Sequence, residues 1–256
     1  MASATPLISI VIATLNERTN LPAAIDSVAA QTLTEKELIV IDGGSADGTA
    51  EVLRERRSDV DCWISEPDRG YWDAWNKGLR RARGEWISFI GADDRLAHPD
   101  ALRWHAEAAH RGDFDLICSR GVLLDRQGRP AREFGGPWDW RAMKRKQCYC
   151  HPGSWRRRRL YERHGEFAGG FGICADYEFD LRHGDTIRAA YVDKATIFVS
   201  AFGLSRRRRF RTLLEMARIQ SRHPEIGSWR AAAHIAVPMV KQAILECMRL
   251  AGYEYI

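Results

Sequence analysis

The first 120 residues alternate between two kinds of apolar pattern. Ile8-Ser9-Ile10-Val11-Ile12 and Leu38-Ile39-Val40-Ile41 are short β-branched runs with almost no polar position, as expected of strands buried on both faces. Cys62-Trp63-Ile64, Trp86-Ile87-Ser88-Phe89-Ile90 and Leu116-Ile117-Cys118 continue the series. Between them apolar residues recur at helical spacing: Leu21, Ile25, Val28 and Ala29 follow Asn20 and Pro22. Further helices are expected over Thr49 to Arg57, over Trp72 to Arg83, and after Pro99. This alternation predicts an α/β fold with a mostly parallel, Rossmann-like sheet and helices on both faces.

The rhythm changes near Leu123. Gln127-Gly128-Arg129-Pro130 reads as a turn between two short strands, and the glycine-rich stretch Gly165 to Gly172 precedes a short helix over Asp176 to Arg182. Beyond Ser205 only helices are expected. The chain therefore divides into an α/β domain at 1–205 and a helical extension at 206–256, with no internal repeat.

Composition narrows the class. With 45% apolar residues the chain has a core to build and is not a disordered segment. Its six cysteines, Cys62, Cys118, Cys148, Cys150, Cys174 and Cys247, are irregularly spaced and suit a reducing cytoplasm better than a disulfide framework. Cys148 and Cys150 lack the second pair that a zinc site needs. No secretory leader is expected. The most apolar stretch, Ala231 to Leu250, is broken by His234, Pro238, Lys241 and Glu246, so no membrane span is expected. The net charge of +5 is uneven: residues 1–140 carry 17 basic against 23 acidic side chains, and residues 141–256 carry 22 against 11. A basic C-terminal part attracts an anionic partner.

The candidate chemistry gathers where strands end. Asn16 and Glu17 follow the first strand, Asp42-Gly43-Gly44-Ser45 the second, Asp68-Arg69-Gly70 the third, and Asp93-Asp94 the strand ending at Ile90. In open parallel sheets ligands bind beyond these ends. Glycines there admit a ligand close to the backbone, and carboxylates accept from sugar or base donors or hold a cation. Adjacent Asp93 and Asp94 repel each other unless neutralised, and a Mg²⁺ or Mn²⁺ shared with substrate phosphate would do so. The three-glycine dinucleotide fingerprint and the P-loop lysine motif are both missing, which disfavours a nicotinamide enzyme or an ordinary ATPase.

Several of these segments resemble family 2 glycosyltransferases of the GT-A fold. Ser9 to Glu17 and Ile41 to Thr49 resemble the family's first two signatures, and Glu66-Pro67-Asp68-Arg69-Gly70-Tyr71-Trp72-Asp73-Ala74-Trp75-Asn76-Lys77-Gly78 its third. Gly91-Ala92-Asp93-Asp94 is similar to the metal-binding DXD-type motif, and Ala175-Asp176-Tyr177-Glu178 to the segment that supplies the catalytic base. The resemblance spans about residues 7–205. It is greatest to bacterial enzymes that add single sugars during exopolysaccharide, O-antigen or phenolic-glycolipid assembly. It implies that Thr14, Glu17 and Asp42 line the base and ribose pocket, with Asn16, Gly44 and Asp68 also binding substrate. Asp73, Asn76 and Lys77 would lie by the sugar or diphosphate, Asp94 would ligate the metal, and Asp93 would share the ion or hold hydroxyls. Asp176 is implied as the base of an inverting displacement, with Glu178 as its rival.

Some residues depart from the family pattern. Gly91-Ala92 stands where many relatives carry another Asp, and Cys150-His151-Pro152 where they often show His-Gln, so His151 touches acceptor or phosphate or is structural. The Gln-x-x-Arg-Trp segment of processive synthases is missing, which favours one transfer per encounter. The implied reaction moves one sugar from a UDP-, GDP- or dTDP-sugar to a lipid-linked or saccharide hydroxyl. A nucleotidyltransferase, or a non-catalytic nucleotide- or nucleic-acid-binding protein, is the alternative; no nucleic-acid-binding motif appears. Two runs, Arg156-Arg157-Arg158-Arg159 and Arg206-Arg207-Arg208-Arg209, are candidates for an anionic lipid surface or a lipid diphosphate. The helical stripe Ile235, Met239, Ile244 and Met248 suits the inner face of the membrane, or equally packing on the rest of the chain or on a second subunit of a homodimer.

Overall fold

The computed structural model describes residues 5–250; the outermost residues of both expected domains, 1–4 and 251–256, lie outside the described residues. The chain opens with β1 (Ile8–Thr14), α1 (Leu21–Ala29), β2 (Lys36–Asp42), α2 (Thr49–Glu55), β3 (Cys62–Ser65), α3 (Tyr71–Arg81) and β4 (Trp86–Gly91). These four strands pair in parallel in the order β3-β2-β1-β4. The runs of β1, β2 and β4 are nearly unbroken and buried because both faces are covered, whereas edge strand β3 is half-buried. Val11, Ile39, Ile41 and Phe89 face Ala74 and Leu79 of α3, and Ile10, Ile12, Leu38 and Val40 face Leu21, Ala24 and Ile25 of α1.

The second half widens this block into one mixed sheet. It adds β5 (Arg95–Leu96), α4 (Ala101–Ala109), β6 (Leu116–Leu124), β7 (Pro130–Phe134), α5 (Trp140–Met143), β8 (Trp155–Arg157), α6 (Arg158–His164), α7 (Ala175–Leu181) and β9 (Ala189–Val199). The order is β3-β2-β1-β4-β8-β6-β9-β5, with β7 forming a hairpin on β6 across the expected turn. Strand β8 runs antiparallel to both β4 and β6, so it wedges between strands of the same direction. Six of the nine described strands therefore point one way, and their carboxyl ends share one edge.

Three helices close the described chain: α8 (Leu204–Arg207), α9 (Arg209–Arg222) and α10 (Gly227–Leu250). No helix among the described residues is long and apolar enough to cross a membrane.

The run Arg156 to Arg159 is not the free cationic patch that its composition suggests. Arg156 is fully buried and paired with Asp180 at 3.0 Å. Arg157 pairs with Glu85 and with Asp113 at 3.3 Å, and Arg159 with Asp113 and Asp115 at 2.6 Å each. Arg158 donates to the carbonyls of Ala82 and Gly84 at 2.7 Å. These guanidiniums join β8 and α6 to their neighbours and are not available to a lipid diphosphate. The stripe on α10 is also displaced: Ile235, Met239 and Met248 are half-buried, and the exposed apolar face is set by Val237, Val240 and Ile244.

Candidate active site

The carboxyl edge of the parallel block brings the loops after β1, β2 and β3 together. Thr14 sits beside Asp42 in register, Asp42 beside Ser65, and Ala13 beside Gly91. Asn16 adopts a left-handed conformation (φ 56°), which Asn tolerates better than most residues. In that geometry its backbone N–H donates to Ser45 Oγ at 2.7 Å and its Oδ1 accepts from the Ala46 N–H at 2.9 Å. The Glu17 N–H donates to Thr49 Oγ1 at 3.1 Å, completing the stitch between the two loops. Asn20 does not cap α1 as its position suggests; its amide donates to Glu17 Oε2 at 2.7 Å.

Asp42 is fully buried and accepts from the Ser65 hydroxyl at 2.6 Å and from the Ser45 N–H and hydroxyl. Gly44 has φ +82°, a left-handed turn that favours glycine. At Gly43 a side chain would stand 2.4 Å from Asp68 Oδ2, so glycine is what lets Asp68 close on this loop. Thr14 Oγ1 is buried beside Asp42 with no hydrogen-bond partner. A buried hydroxyl left unpaired at a strand end is a ready donor or acceptor for a bound group.

Helix α3 supplies the next wall. Asp73 accepts from the backbone and guanidinium of Arg69 at 3.1 and 3.0 Å, which holds its carboxyl below the usual range. Lys77 is largely buried, 3.0 Å from Glu66 and 4.0 Å from Asp73, and donates to the Pro67 carbonyl at 2.8 Å. Asn76 is turned inward. It donates to the Phe167 carbonyl at 2.9 Å and accepts from the Phe167 N–H at 3.0 Å, so it clips the glycine-rich stretch to α3.

Sequence reasoning missed Tyr71 at the start of this helix. Burial pushes its phenol up, and Asp93, Glu17, Asp94 and Asp68 push it further, so it lies among the carboxylates of three different loops. The aromatic residue after Arg69-Gly70 was visible in the sequence, but nothing there signalled its neighbours.

Asp94 lies at the centre of the edge, only 5% exposed. Its Oδ2 accepts from the Gly91 N–H at 2.9 Å and its Oδ1 from the Ser200 N–H at 3.2 Å, which brings the end of β9 to the site. Burial, and then the charge of Asp93, push its carboxyl up to about 7. Glu17 is raised by burial too, and Asp93 adds to the shift. Opposite them comes α8: Arg206, half-buried over the Phe134 ring at 5.7 Å, acts on Asp94, and Arg207 acts on Glu17.

No group of three or more His, Cys, Asp or Glu among the described residues is arranged to hold a metal. A hard divalent ion needs fewer protein ligands when substrate phosphate and water fill its shell. The residues fit such an ion, because a cation would reverse both the desolvation and the like-charge repulsion that raise Asp94.

Asp176 stands in the first turn of α7, its side chain one-fifth exposed. Burial, then the charge of Asp180, raise its carboxyl to about 6, while Arg156 pulls it down. His151 Nδ1 is 3.8 Å from Asp176 Oδ2. The imidazole is held well below its ordinary value by burial and then by Arg156, so it is neutral and the contact is not an ion pair. Its Nε2 is buried without a partner, and its ring lies 5.3 Å from Trp75 and stacks on Phe89 at 6.4 Å. The rival Glu178 is bonded to Arg182, whose guanidinium also holds the carbonyls of His164 and Glu166 at 3.0 and 2.8 Å. A carboxylate raised to about 6, partly open and beside a neutral imidazole, can accept a proton from a bound hydroxyl.

The chain matches the model of the family described as glycosyl transferase family 2 over residues 9–165. It is 33% identical over 183 residues to a PGL/p-HBAD biosynthesis glycosyltransferase of Mycobacterium bovis, covering 70% of each chain. It is 33% identical over 127 residues to the putative glycosyltransferase EpsH of Bacillus subtilis, covering 49% of this chain and 37% of that one. Among solved structures, S. aureus TarS 1-349 in complex with UDP-GlcNAc has a TM-score of 0.66 at 18% identity, covering 90% of this chain and 70% of that one. Glucosyl-3-phosphoglycerate synthase from Mycobacterium tuberculosis, in complex with Mn²⁺ and UDP-glucose, has a TM-score of 0.59 at 18% identity and covers 86% of this chain and 80% of that one. These structural likenesses show the fold, which is of the GT-A type. The matched segment runs from β1 through the Asp94 loop to the end of α6, and the chain belongs to glycosyltransferase family 2.

Proposed function

We propose that this glycosyltransferase moves a single sugar, with inversion, from a UDP-, GDP- or dTDP-sugar to a hydroxyl of a lipid-linked or saccharide acceptor in cell-surface polysaccharide or glycolipid synthesis. The observation that carries the reading is Asp176, raised to about 6 and partly open, beside the neutral His151 that packs on β4. At pH 7 a carboxyl with that value is mostly ionised yet still basic enough to share a proton.

Thr14, Asn16, Glu17, Asp42 and Gly44 line the base and ribose pocket in this reading, and Asp68, Asp73 and Lys77 border the sugar and diphosphate. Asn76 serves that wall from behind through Phe167. Mg²⁺ or Mn²⁺, held by Asp94 and Asp93, would supply positive charge to the departing diphosphate. Asp176 takes the proton from the acceptor hydroxyl as its oxygen bonds to the anomeric carbon. The bond from that carbon to the diphosphate oxygen breaks, and nucleoside diphosphate leaves. One displacement inverts the anomeric centre. His151 keeps Asp176 company without a charge of its own, so the carboxylate remains free to accept the proton. The Mycobacterium bovis relative is named for PGL/p-HBAD biosynthesis, which supports a biosynthetic setting, and the unpaired cysteines suit a cytoplasmic enzyme.

The test is a panel of nucleotide sugars, with and without lipid-linked acceptors, read for product. Nucleoside diphosphate released only with acceptor supports the reading. Pyrophosphate release would make the protein a nucleotidyltransferase, and nucleotide binding with neither product a non-catalytic module.

A further inference from the structure

The face of α10 turned away from α9 is apolar and open. Trp229 is 74% exposed, Val237 76%, Val240 61% and Ile244 54%, and Ala233, Ala236, Ala243 and Cys247 are exposed among them. At 100° per residue these side chains share one stripe, and its surface holds a groove of about 510 Å³ lined by Ala236, Val237, Val240, Lys241, Ile244 and Leu245. A soluble helix normally turns such a stripe inward. Here the exposed cations Arg230 and Lys241 lie along one border of it.

The neighbouring helix carries matching chemistry. Helices α9 and α10 are joined by a short turn and pack together, with His234 Nδ1 3.1 Å from Gln220 Oε1. Counting ten residues from that contact along each antiparallel helix brings exposed Phe210 level with Ile244, and exposed Leu214 close to Val240. Exposed Arg208 and Arg209 accompany them, while Arg211 pairs with Glu215 at 3.1 Å and Arg218 and Arg222 lie over the Phe171 ring. Residues 203–248 hold nine Arg and Lys against three Glu. Of those acids, Glu215 accepts from the Ile173 N–H at 2.8 Å and Glu225 pairs with Lys144 at 3.0 Å.

We propose that the exposed face of α10, with Arg208 and Arg209 at the start of α9, docks on an anionic phospholipid surface. A cationic border around an apolar stripe suits a bilayer, where the apolar side chains enter the acyl boundary and Lys241 reaches back to the headgroups. A second copy of this chain suits it poorly, since apposition would bring the same arginines against one another. The placement also bears on the reaction. Ser200, whose N–H binds Asp94, lies four residues before α8, so docking sets the catalytic edge near the lipid plane. That consequence rests on the lipid-linked acceptor proposed above, whereas docking itself does not.

The test is co-sedimentation of the full chain, without donor or acceptor, with vesicles of phosphatidylcholine alone and of phosphatidylcholine mixed with phosphatidylglycerol. Binding to the mixed vesicles that weakens steeply with added salt is expected, with little binding to phosphatidylcholine. Val240→Asp with Ile244→Asp should lower the affinity at least tenfold. Arg208→Gln with Arg209→Gln should cost about fivefold for each charge removed. Both variants should keep the wild-type circular dichroism spectrum and diphosphate release with a soluble acceptor. Equal binding to both vesicle types, or unchanged binding by both variants, would overturn the proposal. So would a dimer in sedimentation velocity that Val240→Asp with Ile244→Asp dissociates. A docking chain that is inactive on every nucleotide sugar would instead count against the proposed reaction alone.

Discussion

Replacing Arg156 with Met removes one half of an ion pair whose two side chains are each 1% exposed. Arg156 donates to Asp180 Oδ1 at 3.0 Å and to Ser154 Oγ at 3.1 Å, and also bonds the Tyr149 hydroxyl. In the variant Asp180 keeps Tyr149 at 2.5 Å and Gln147 at 3.1 Å, but its charge is left in the core with no cation. Breaking a buried pair in this way typically costs about 3–5 kcal/mol, far more than the pair is worth against an apolar replacement of both partners. In a chain of this size 1 kcal/mol moves Tm by about 2–4 °C, so a fall of about 10 °C is expected. The same arginine favours the ionised form of Asp176, so its loss raises that carboxyl above about 6 and moves the acid limb of activity to higher pH. Urea titration and a pH–rate profile read the two effects separately. The double variant Arg156→Met with Asp180→Leu should recover most of the stability. A single variant within about 1 kcal/mol of wild type, or a double variant as unstable as the sum of the singles, would refute this account of the buried pair.

Other predictions address the site itself. With Asp176 at about 6, kcat/KM should fall tenfold per pH unit below that value, and a profile flat down to pH 5 would exclude it as the base. Its folded value lies above its ordinary 3.8, so ionising it weakens the fold as pH rises from about 4 to 6. Asp176→Asn should accordingly melt higher than wild type at pH 8 and show no such gain at pH 3. Asn76→Ala leaves the Phe167 N–H and carbonyl unpaired and should cost about 2–4 kcal/mol in urea titrations; a neutral outcome would mean that the clip does not matter. Mn²⁺ with nucleoside diphosphate should raise the Tm of wild type but not of Asp94→Ala, and an equal rise in both would remove Asp94 as a ligand.

The parallel half of the fold is legible because a strand covered on both faces needs a continuous apolar run, and β1, β2 and β4 supply one. Strand β8 is not. Trp155-Arg156-Arg157 reads as the start of a solvated basic run, and only Asp180, 24 residues on, makes burial of Arg156 tolerable. Strand β9 is obscured by Asp193 and Lys194 close to the irregular register where it meets Arg120. At the site, the acids and glycines at strand ends announce themselves because turn chemistry and ligand chemistry both need them there. Asn76 is misleading for a related reason: an amide suits a sugar hydroxyl and a backbone clip equally, and only the fold brings Phe167 to it. Arg206 shows the converse, because a run of four arginines hides which member turns inward toward Asp94 and which stay in solvent.

The central claim is that Asp176 removes the acceptor proton at an edge where the donor is bound independently. Donor affinity and turnover measured side by side for Asp176→Asn test it. Affinity within about threefold of wild type with kcat lowered by about 10²–10⁴ is the expected result. Turnover above a tenth of wild type, or donor affinity lost together with turnover, would contradict it.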